Sequence, residues 1–206
     1  MAELDGGPDS TQAVYERQAA AYDAKRSRAL FEARWLARFA AGLPEGGRVL
    51  DLGCGAGEPI ARWFIAEGFN VTGVDFAVPM LDIARQRWPD GDWRQADMRH
   101  LDLDETFDGI VAWNSFFHLR PDEQRICIAH MALHLTPGGS LLMTVGPEAG
   151  EVSGTVGDEV VYHASLSPAG YASCLEENGL RLTGFLAEDP ETDKHSVLMA
   201  RKDQET

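Results

Sequence analysis

The chain has 206 residues, 44% of them hydrophobic, which is enough for one α/β domain with a full core and too few for a comfortable second domain. It carries 18 basic against 33 acidic side chains, a formal net charge of -15, and this charge opposes binding to a polyanion such as nucleic acid. Three cysteines without Cys-x-x-Cys spacing predict neither a disulfide framework nor a metal site, and no apolar run reaches the length of a membrane span. We therefore expect a cytoplasmic protein with one domain over residues 1–206 and with no nucleic-acid or membrane partner.

The predicted elements begin with helices. Residues 10–41 have a helical composition that is interrupted near residues 23–28, and a Leu-Pro-Glu-Gly-Gly turn at residues 43–47 ends this region. Strands are then predicted at residues 48–52, 71–75, 93–96, 107–113 and 140–145, and helices at residues 59–67, 79–88 and 121–135. This alternation is typical of a parallel sheet with helices on both faces.

The C-terminal part departs from the alternation. Residues 146–166 form a polar, glycine-rich segment that is long for a simple connection, and we interpret it as a candidate substrate lid. A helix follows from Pro168, and the strands expected at residues 180–187 and 196–201 must pair antiparallel because the link between them is short. Asp189 and His195 lie in that link, for which we expect a solvated turn.

The most informative motif is the sequence VLDLGCGAGEP at residues 49–59, a buried strand that turns through three glycines into a helix. Glycines allow positive φ and let a ligand approach main-chain N–H groups. Gly57 comes one residue earlier than in the dinucleotide fingerprint, and the carboxylate of Glu58 would repel a pyrophosphate. The motif therefore favours a ligand that contains an adenosine but no phosphate.

A carboxylate follows the next predicted strand. Asp75 lies 22 residues after Gly53, where it can accept hydrogen bonds from both hydroxyls of a ribose. NAD also has a free ribose diol, so Asp75 does not by itself separate the two kinds of ligand.

Five segments, in this order, resemble the class I S-adenosylmethionine-dependent methyltransferases, in particular the bacterial small-molecule group related to the ubiquinone-biosynthesis methyltransferases. They are residues 49–57, 71–75, 95–98, 107–111 and 135–142. The resemblance covers nearly the whole chain. It implies a Rossmann-like α/β fold with a seven-stranded sheet in the order 3-2-1-4-5-7-6, in which strand 7 is antiparallel. It also implies an N-terminal helical cap over residues 1–45 and a core over residues 46–206.

The resemblance further implies S-adenosyl-L-methionine as cofactor and S-adenosyl-L-homocysteine as product. Asp97 would take the adenine 6-amino group, and Asp51 would orient the loop and the methionine ammonium. Arg28, in the cap with Tyr15 and Tyr22, meets the methionine carboxylate or is simply exposed. The cofactor-binding residues expected on these grounds are Asp51, Gly53, Cys54, Gly55, Gly57, Asp75, Phe76, Met80, Asp97, Met98, Trp113, Tyr22 and Arg28. For Met80 the helical spacing is equally what core packing requires.

Catalysis of methyl transfer rests largely on holding the acceptor in line with the methyl group, and a base is needed only if the acceptor must lose a proton. By resemblance, His118 lies where many relatives carry a histidine beside the sulfonium, and a structural role in its loop is the alternative. His163, in the candidate lid, is the second expected catalytic residue. Aromatic residues suggest a pocket for a planar or apolar acceptor but are also ordinary core material: Trp35, Trp113, Phe116, Phe117 and Tyr162.

The sequence thus predicts a methyltransferase that modifies a small molecule at an undetermined O, N or C atom and acts as a monomer or homodimer. No metal is expected. The alternatives are an NAD-dependent oxidoreductase and a regulator that binds S-adenosylmethionine without turnover.

Overall fold

A seven-stranded sheet runs through the centre of the protein in the computed structural model, which describes residues 7–204. The expected domain also included residues 1–6 and 205–206, which lie outside the described part. The strands are β1 Arg48–Leu52, β2 Asn70–Asp75, β3 Asp92–Gln95, β4 Phe107–Ala112, β5 Leu135–Val145, β6 Gly150–Val156, β7 Glu159–Ser165, β8 Leu180–Asp189 and β9 His195–Lys202. The helices are α1 Thr11–Lys25, α2 Ala33–Ala40, α3 Ile60–Ala66, α4 Val78–Arg87, α5 Pro121–His134 and α6 Pro168–Glu177.

The order of the sheet is β3-β2-β1-β4-β5-β9-β8. Strands β1 to β5 are parallel, and β9 runs antiparallel between β5 and β8. β6 and β7 form a separate two-stranded sheet, so β8 and β9 are the sixth and seventh strands of the large sheet. The predicted order 3-2-1-4-5-7-6, with an antiparallel last strand, is confirmed.

Local sequence signals set the helix boundaries. Gly68, with φ at +88°, follows α3, and Pro79 lies in the first turn of α4. At the start of α5, the Glu123 carboxylate accepts a hydrogen bond from the Arg120 backbone N–H at 2.8 Å. The Ser167 hydroxyl caps α6 by accepting from the Gly170 N–H at 3.0 Å.

Two apolar layers enclose the sheet. Phe116, Ile128 and Tyr171 belong to the layer that includes α5 and α6, whereas Phe39 and Phe64 belong to the layer that includes α2 and α3. These five side chains are fully buried. Burial of a large apolar side chain contributes roughly 1.5–3 kcal/mol to the stability of the fold. The two layers therefore stabilise the sheet and hold the carboxyl ends of its parallel strands in place.

The segment 146–166, the candidate lid, has regular structure. It contains the antiparallel hairpin of β6 and β7, in which Val152 faces His163. Val156 and Val161 pack against Val14 of α1, and this apolar contact orders the hairpin. Glycine and polar residues at the other positions hide the alternation of period two in the sequence.

The turn between β8 and β9 also differs from the expected solvated turn. Asp189 is only 1% exposed, and its Oδ2 accepts hydrogen bonds from Trp35 Nε1 at 2.7 Å and from Arg34 at 2.8 Å. Although burial opposes ionisation, these donors hold the pKa of Asp189 below its usual value. The His195 ring stacks on Phe31, with centroids 5.8 Å apart. The turn therefore anchors α2 and the α1–α2 link to the sheet.

Candidate functional site

A cleft opens where the parallel strands end, and α1 lies over it. Residues that follow β1, β2, β3 and β4 form its floor, and residues of α1 form its roof. The cleft has a volume of about 1150 Å³, part of which is open to solvent. Open α/β sheets bind their ligands at this edge.

The three glycines of the loop after β1 serve different purposes. Gly53 has φ at +81°, and a Cβ at this position would lie 2.2 Å from the Cβ of Ser115. Gly55 has φ at +53° and faces open space, since an added Cβ would meet only Met80 Sδ at 4.0 Å. A Cβ on Gly57 would lie 2.9 Å from the Trp93 ring, so Gly57 allows close packing at this point. Gly57 is not among the described residues that line the cleft. The loop is thus open to a ligand at Gly55, where no side chain stands between the main chain and the cleft.

Asp75 fixes this loop. Its Oδ2 accepts from the Gly55 N–H and its Oδ1 from the Ala77 N–H, both at 2.8 Å. Burial raises the pKa of Asp75 to about 6, and these hydrogen bonds partly oppose the rise.

Asp51 lies beside Asp75 and is 2% exposed. Its Oδ2 has no hydrogen-bond partner within residues 7–204. Burial first, and then the charge of Asp75, raise the pKa of Asp51 to about 7. A buried carboxylate oxygen without a donor is costly, and a cationic ligand group would satisfy it.

At the outer end of the cleft, Asp97 is clamped by Arg99, whose guanidinium donates to both carboxylate oxygens at 2.6 to 3.0 Å. Arg99 also binds Glu123 at 3.2 Å. Burial opposes ionisation, but Arg99 holds the pKa of Asp97 below its usual value. Asp97 and Met98 line the cleft. The role of Arg99 in holding the Asp97 carboxylate was not among the sequence predictions.

Phe76, Met80 and Tyr22 also line the cleft. Met80 is 1% exposed and packs with small side chains and with Tyr22, so it serves both the cleft wall and the core. Cys54 lines the cleft as well, and burial raises the pKa of its thiol, which makes it a poor nucleophile.

Tyr15 and His118 meet in the cleft across 103 positions of sequence. The Tyr15 hydroxyl lies 2.9 Å from His118 Nε2, and His118 Nδ1 lies 2.9 Å from the Tyr162 carbonyl oxygen. A carbonyl can only accept, so Nδ1 carries the proton and Nε2 accepts the hydrogen bond from Tyr15. Burial lowers the pKa of His118 to about 4, which keeps the imidazole neutral.

His163 does not join Tyr15 and His118 in the described cleft wall. Its ring packs on His118 at 4.8 Å and on Phe117 at 4.7 Å between centroids, behind the cleft. Of the five aromatic residues expected around the acceptor, Trp113 lines the cleft. Trp35 and Phe116 are core residues.

Arg28 also lies outside the described cleft wall, because it is held by Glu58 at 2.5 Å and Asp23 at 3.1 Å. Glu58 is paired with Arg62 and Arg87 as well. These cations neutralise Glu58, so its charge is a weaker obstacle to a pyrophosphate than the sequence indicates.

Arg26 lines the cleft instead of Arg28. Thr11, Tyr15, Tyr22 and Arg26 all line it, and their spacings of 4, 7 and 4 positions place them on one face of α1 and its C-cap. This helical periodicity was present in the sequence and could have selected Arg26.

These features fit S-adenosylmethionine. Gly55 faces the cleft without a side chain, Asp75 is a carboxylate placed for a ribose, and Asp51 Oδ2 lacks a donor of the kind an ammonium supplies. A group of three or more His, Cys, Asp or Glu side chains suited to a metal is absent from the described residues. Across residues 7–204, no helix combines the length and the apolar character needed to cross a bilayer.

The chain is similar in sequence to methyltransferases over part of its length. Residues 49–139 match the family model of a methyltransferase domain. The demethylmenaquinone methyltransferase of Renibacterium salmoninarum is 32% identical over 150 residues, which cover 69% of this chain and 61% of that protein. The dTDP-4-amino-2,3,4,6-tetradeoxy-D-glucose N,N-dimethyltransferase of Saccharopolyspora spinosa is 36% identical over 99 residues, 47% of this chain and 39% of that protein. The chain thus spans only part of the length of the curated relatives it matches.

Solved structures share the whole fold. The 1,6-didemethyltoxoflavin-N1-methyltransferase of Burkholderia thailandensis superposes with a TM-score of 0.75 at 22% identity, covering 99% of this chain and 94% of that chain. Streptomyces venezuelae DesVI gives a TM-score of 0.69 at 20% identity, covering 92% and 97%. At this identity the likeness establishes the fold, and the sequence match establishes the domain. Residues 49–139 therefore form a methyltransferase domain, and the chain has the fold of solved S-adenosylmethionine-dependent methyltransferases.

Proposed function

We propose that this protein transfers a methyl group from S-adenosylmethionine to a small-molecule acceptor. The observation that carries the proposal is the pair of buried carboxylates beside the glycine loop, of which Asp51 keeps one oxygen without a partner in the described chain. A ribose for Asp75 and an ammonium for Asp51 match this pair. Both groups occur in S-adenosylmethionine, whereas a nicotinamide dinucleotide has no ammonium.

The remaining contacts follow from the position of each side chain along the cleft. Asp97 and the Met98 main chain receive the adenine, and Phe76 and Met80 cover it. Arg26, at the same end as Asp51, binds the methionine carboxylate, a role that the resemblance implies for Arg28 unless that residue is simply exposed. Gly55 lets the main chain approach the ligand, whereas Gly53 allows the loop to pack against Ser115.

S-adenosylmethionine supplies an electrophilic methyl group on a sulfonium, so the protein's task is to hold the acceptor in line with it. The Tyr15 phenol oxygen faces the cleft while its proton is directed at His118 Nε2. The acceptor's own N–H or O–H can donate to that oxygen. Tyr15 then orients the acceptor, and His118 holds Tyr15. His163 supports His118 from behind.

The acceptor is a small molecule for two reasons. The net charge of -15 disfavours a polyanion, and the cleft lies under α1 and not along an open surface. Relatives are named for a quinone, amino sugars and an N-terminal peptide amine, so the acceptor atom stays open. We place the protein in the reducing cytoplasm as a monomer or homodimer, in keeping with its three buried free thiols.

The test is transfer of a labelled methyl group. The protein would be incubated with S-adenosylmethionine labelled in the methyl group and with a cell extract separated into a fraction below about 1 kDa and a macromolecular fraction. We expect label in the small-molecule fraction with stoichiometric release of S-adenosylhomocysteine, and loss of both with Asp75→Ala. Label in the macromolecular fraction alone, or none in either, would contradict the proposal.

A further inference from the structure

Glu32 is a buried carboxylate whose place in the fold is not explained by packing. It is 0% exposed and lies at the N-terminus of α2. Its Oε1 accepts a hydrogen bond from Arg26 Nη2 at 2.5 Å, whereas its Oε2 has no partner anywhere in residues 7–204. An unpaired oxygen on a buried charged group destabilises the fold by about 1–3 kcal/mol or more. A residue retained at such a cost calls for a function.

Three residues between α1 and α2 hold the Arg26 guanidinium. Besides the bond to Glu32, its Nη1 donates to the Ser27 carbonyl at 3.2 Å, and its guanidinium lies 5.6 Å above the centroid of Phe31. The side chain is 13% exposed, and it lines the cleft. The guanidinium is therefore fixed before any ligand arrives.

The charges at this end of the cleft are complementary to a zwitterion. Arg26 is close enough to Asp51 to oppose the rise of its pKa. Arg99, the other arginine in the described cleft wall, is engaged by Asp97 and Glu123 at the opposite end. Arg26 has five N–H donors and uses one on Glu32 and one on Ser27, which leaves donors for a carboxylate.

We propose that Glu32 is a positioning residue that presents the Arg26 guanidinium to the carboxylate at the amino-acid end of the ligand. This inference rests on the proposed function. A guanidinium that is already oriented loses less conformational entropy when it binds a carboxylate, so the buried ion pair increases affinity and selectivity for that group.

A purely structural ion pair would look different. Asp189, equally buried, uses both oxygens on donors from α2 and its own turn, as a fastening residue should. Glu32 uses one. For fastening alone, apolar side chains in place of a buried ion pair are usually neutral or stabilising.

The experiment compares two ligands that differ only in the carboxylate: S-adenosylhomocysteine and its decarboxylated analogue, which keeps the amino group. Affinities are measured by calorimetry for the wild type, Glu32→Gln and, as the matched buried carboxylate, Asp189→Asn. Glutamine keeps the shape and an acceptor for Arg26 but removes the charge. We expect Glu32→Gln to weaken S-adenosylhomocysteine binding about tenfold and to leave the analogue within twofold. Asp189→Asn should leave the ratio of the two affinities unchanged even where it lowers Tm.

A second variant tests the route through Arg26. In an Arg26→Gln background, Glu32→Gln should cause no further change in the ratio, since the residue it positions is gone. Equal weakening of both ligands by Glu32→Gln, or an unchanged ratio, would overturn the inference and leave the proposed function intact. Failure of wild-type protein to bind either ligand would overturn the proposed function itself.

Discussion

Asp51 and Asp75 make ligand binding depend on pH at the scale of single residues. Burial, and for Asp51 also the charge of Asp75, raise their pKa values to about 7 and about 6. A ligand ammonium or ribose diol binds the ionised carboxylates. Affinity for S-adenosylhomocysteine should therefore be highest at pH 8 and fall as the pH drops through 7 and 6, by about a hundredfold between pH 8 and pH 5.5. Calorimetry across this pH range measures the Kd. Asp51→Asn should reduce the change in Kd near pH 7. A Kd of the wild type that stays constant across the range would contradict the prediction.

Ionisation of the same buried carboxyl groups lowers the stability of the folded protein. A carboxyl whose folded pKa lies above its unfolded value contributes stability below the unfolded pKa, and this contribution is lost as the pH rises through the folded pKa. For Asp51 the window runs from about 4 to about 7. Asp51→Asn should raise the Tm of the ligand-free protein by several degrees at pH 8 and by little at pH 4. Scanning calorimetry at both pH values measures this; a Tm lowered equally at the two values would show that Asp51 is needed for packing alone.

Tyr15 and His118 are arranged to orient an acceptor and poorly arranged to take up a proton. Burial lowers the pKa of His118 to about 4, and burial also raises the pKa of Tyr15, so the neutral form of each is favoured. Tyr15→Phe and His118→Gln should each lower kcat about tenfold, by the same factor at every pH from 6 to 9, with cofactor affinity little changed. Steady-state kinetics with an identified acceptor gives the result. A loss of a hundredfold or more that shrinks as the pH rises would instead identify His118 as a general base.

At the scale of elements, α1 is held over the cleft mainly by polar contacts. Gln12 donates to the Phe76 carbonyl at 3.2 Å, Gln18 binds Glu159 of the β6–β7 hairpin at 2.9 Å, and Tyr15 binds His118. The helix buries few apolar side chains, Val14 and Ala19 among them. Elements with few buried apolar contacts open locally at low free energy.

Hydrogen exchange should therefore show α1 as the least protected helix of the ligand-free protein and should show it protected by S-adenosylhomocysteine, together with β6 and β7. α5, with Ile128 and Met131 fully buried, is the internal control and should not change. Equal protection of α1 and α5 without ligand would mean that the cap is fixed structure and not a lid.

The elements also show what the sequence could and could not predict. The parallel part of the sheet followed from the alternation of elements, and the antiparallel pairing of its last two strands from the short final link, because each of these is a local signal. The full strand order was implied by the resemblance to the methyltransferase family. The hairpin was missed since its order depends on contact with Val14, more than a hundred positions away. The pairing of Tyr15 with His118 depends in the same way on how α1 settles over the sheet. Arg26 differs from both, because its spacing of four positions from Tyr22 is a helical period that is visible in the sequence.

At the scale of the whole molecule, the residues with proposed roles in binding and catalysis lie together at the carboxyl ends of the parallel strands. There α1 covers this end of the sheet, and the β8–β9 turn braces it from the side through Trp35 and Asp189. Two acidic side chains of the cleft wall, Glu58 and Asp97, are neutralised by ion pairs with arginines. Because the chain is itself negatively charged, a ligand with a positive centre and an adenosine should bind at this end of the sheet better than a polyanion.

The central claim is tested most directly by calorimetric titration of the protein at pH 8 with S-adenosylhomocysteine and, separately, with NADH. The account predicts micromolar affinity for S-adenosylhomocysteine and none measurable for NADH at the same concentrations. Asp75→Ala should weaken S-adenosylhomocysteine binding by about 2–3 kcal/mol, the scale for losing charge-assisted hydrogen bonds. Tighter binding of NADH than of S-adenosylhomocysteine, or affinity of the variant within twofold of the wild type, would contradict it.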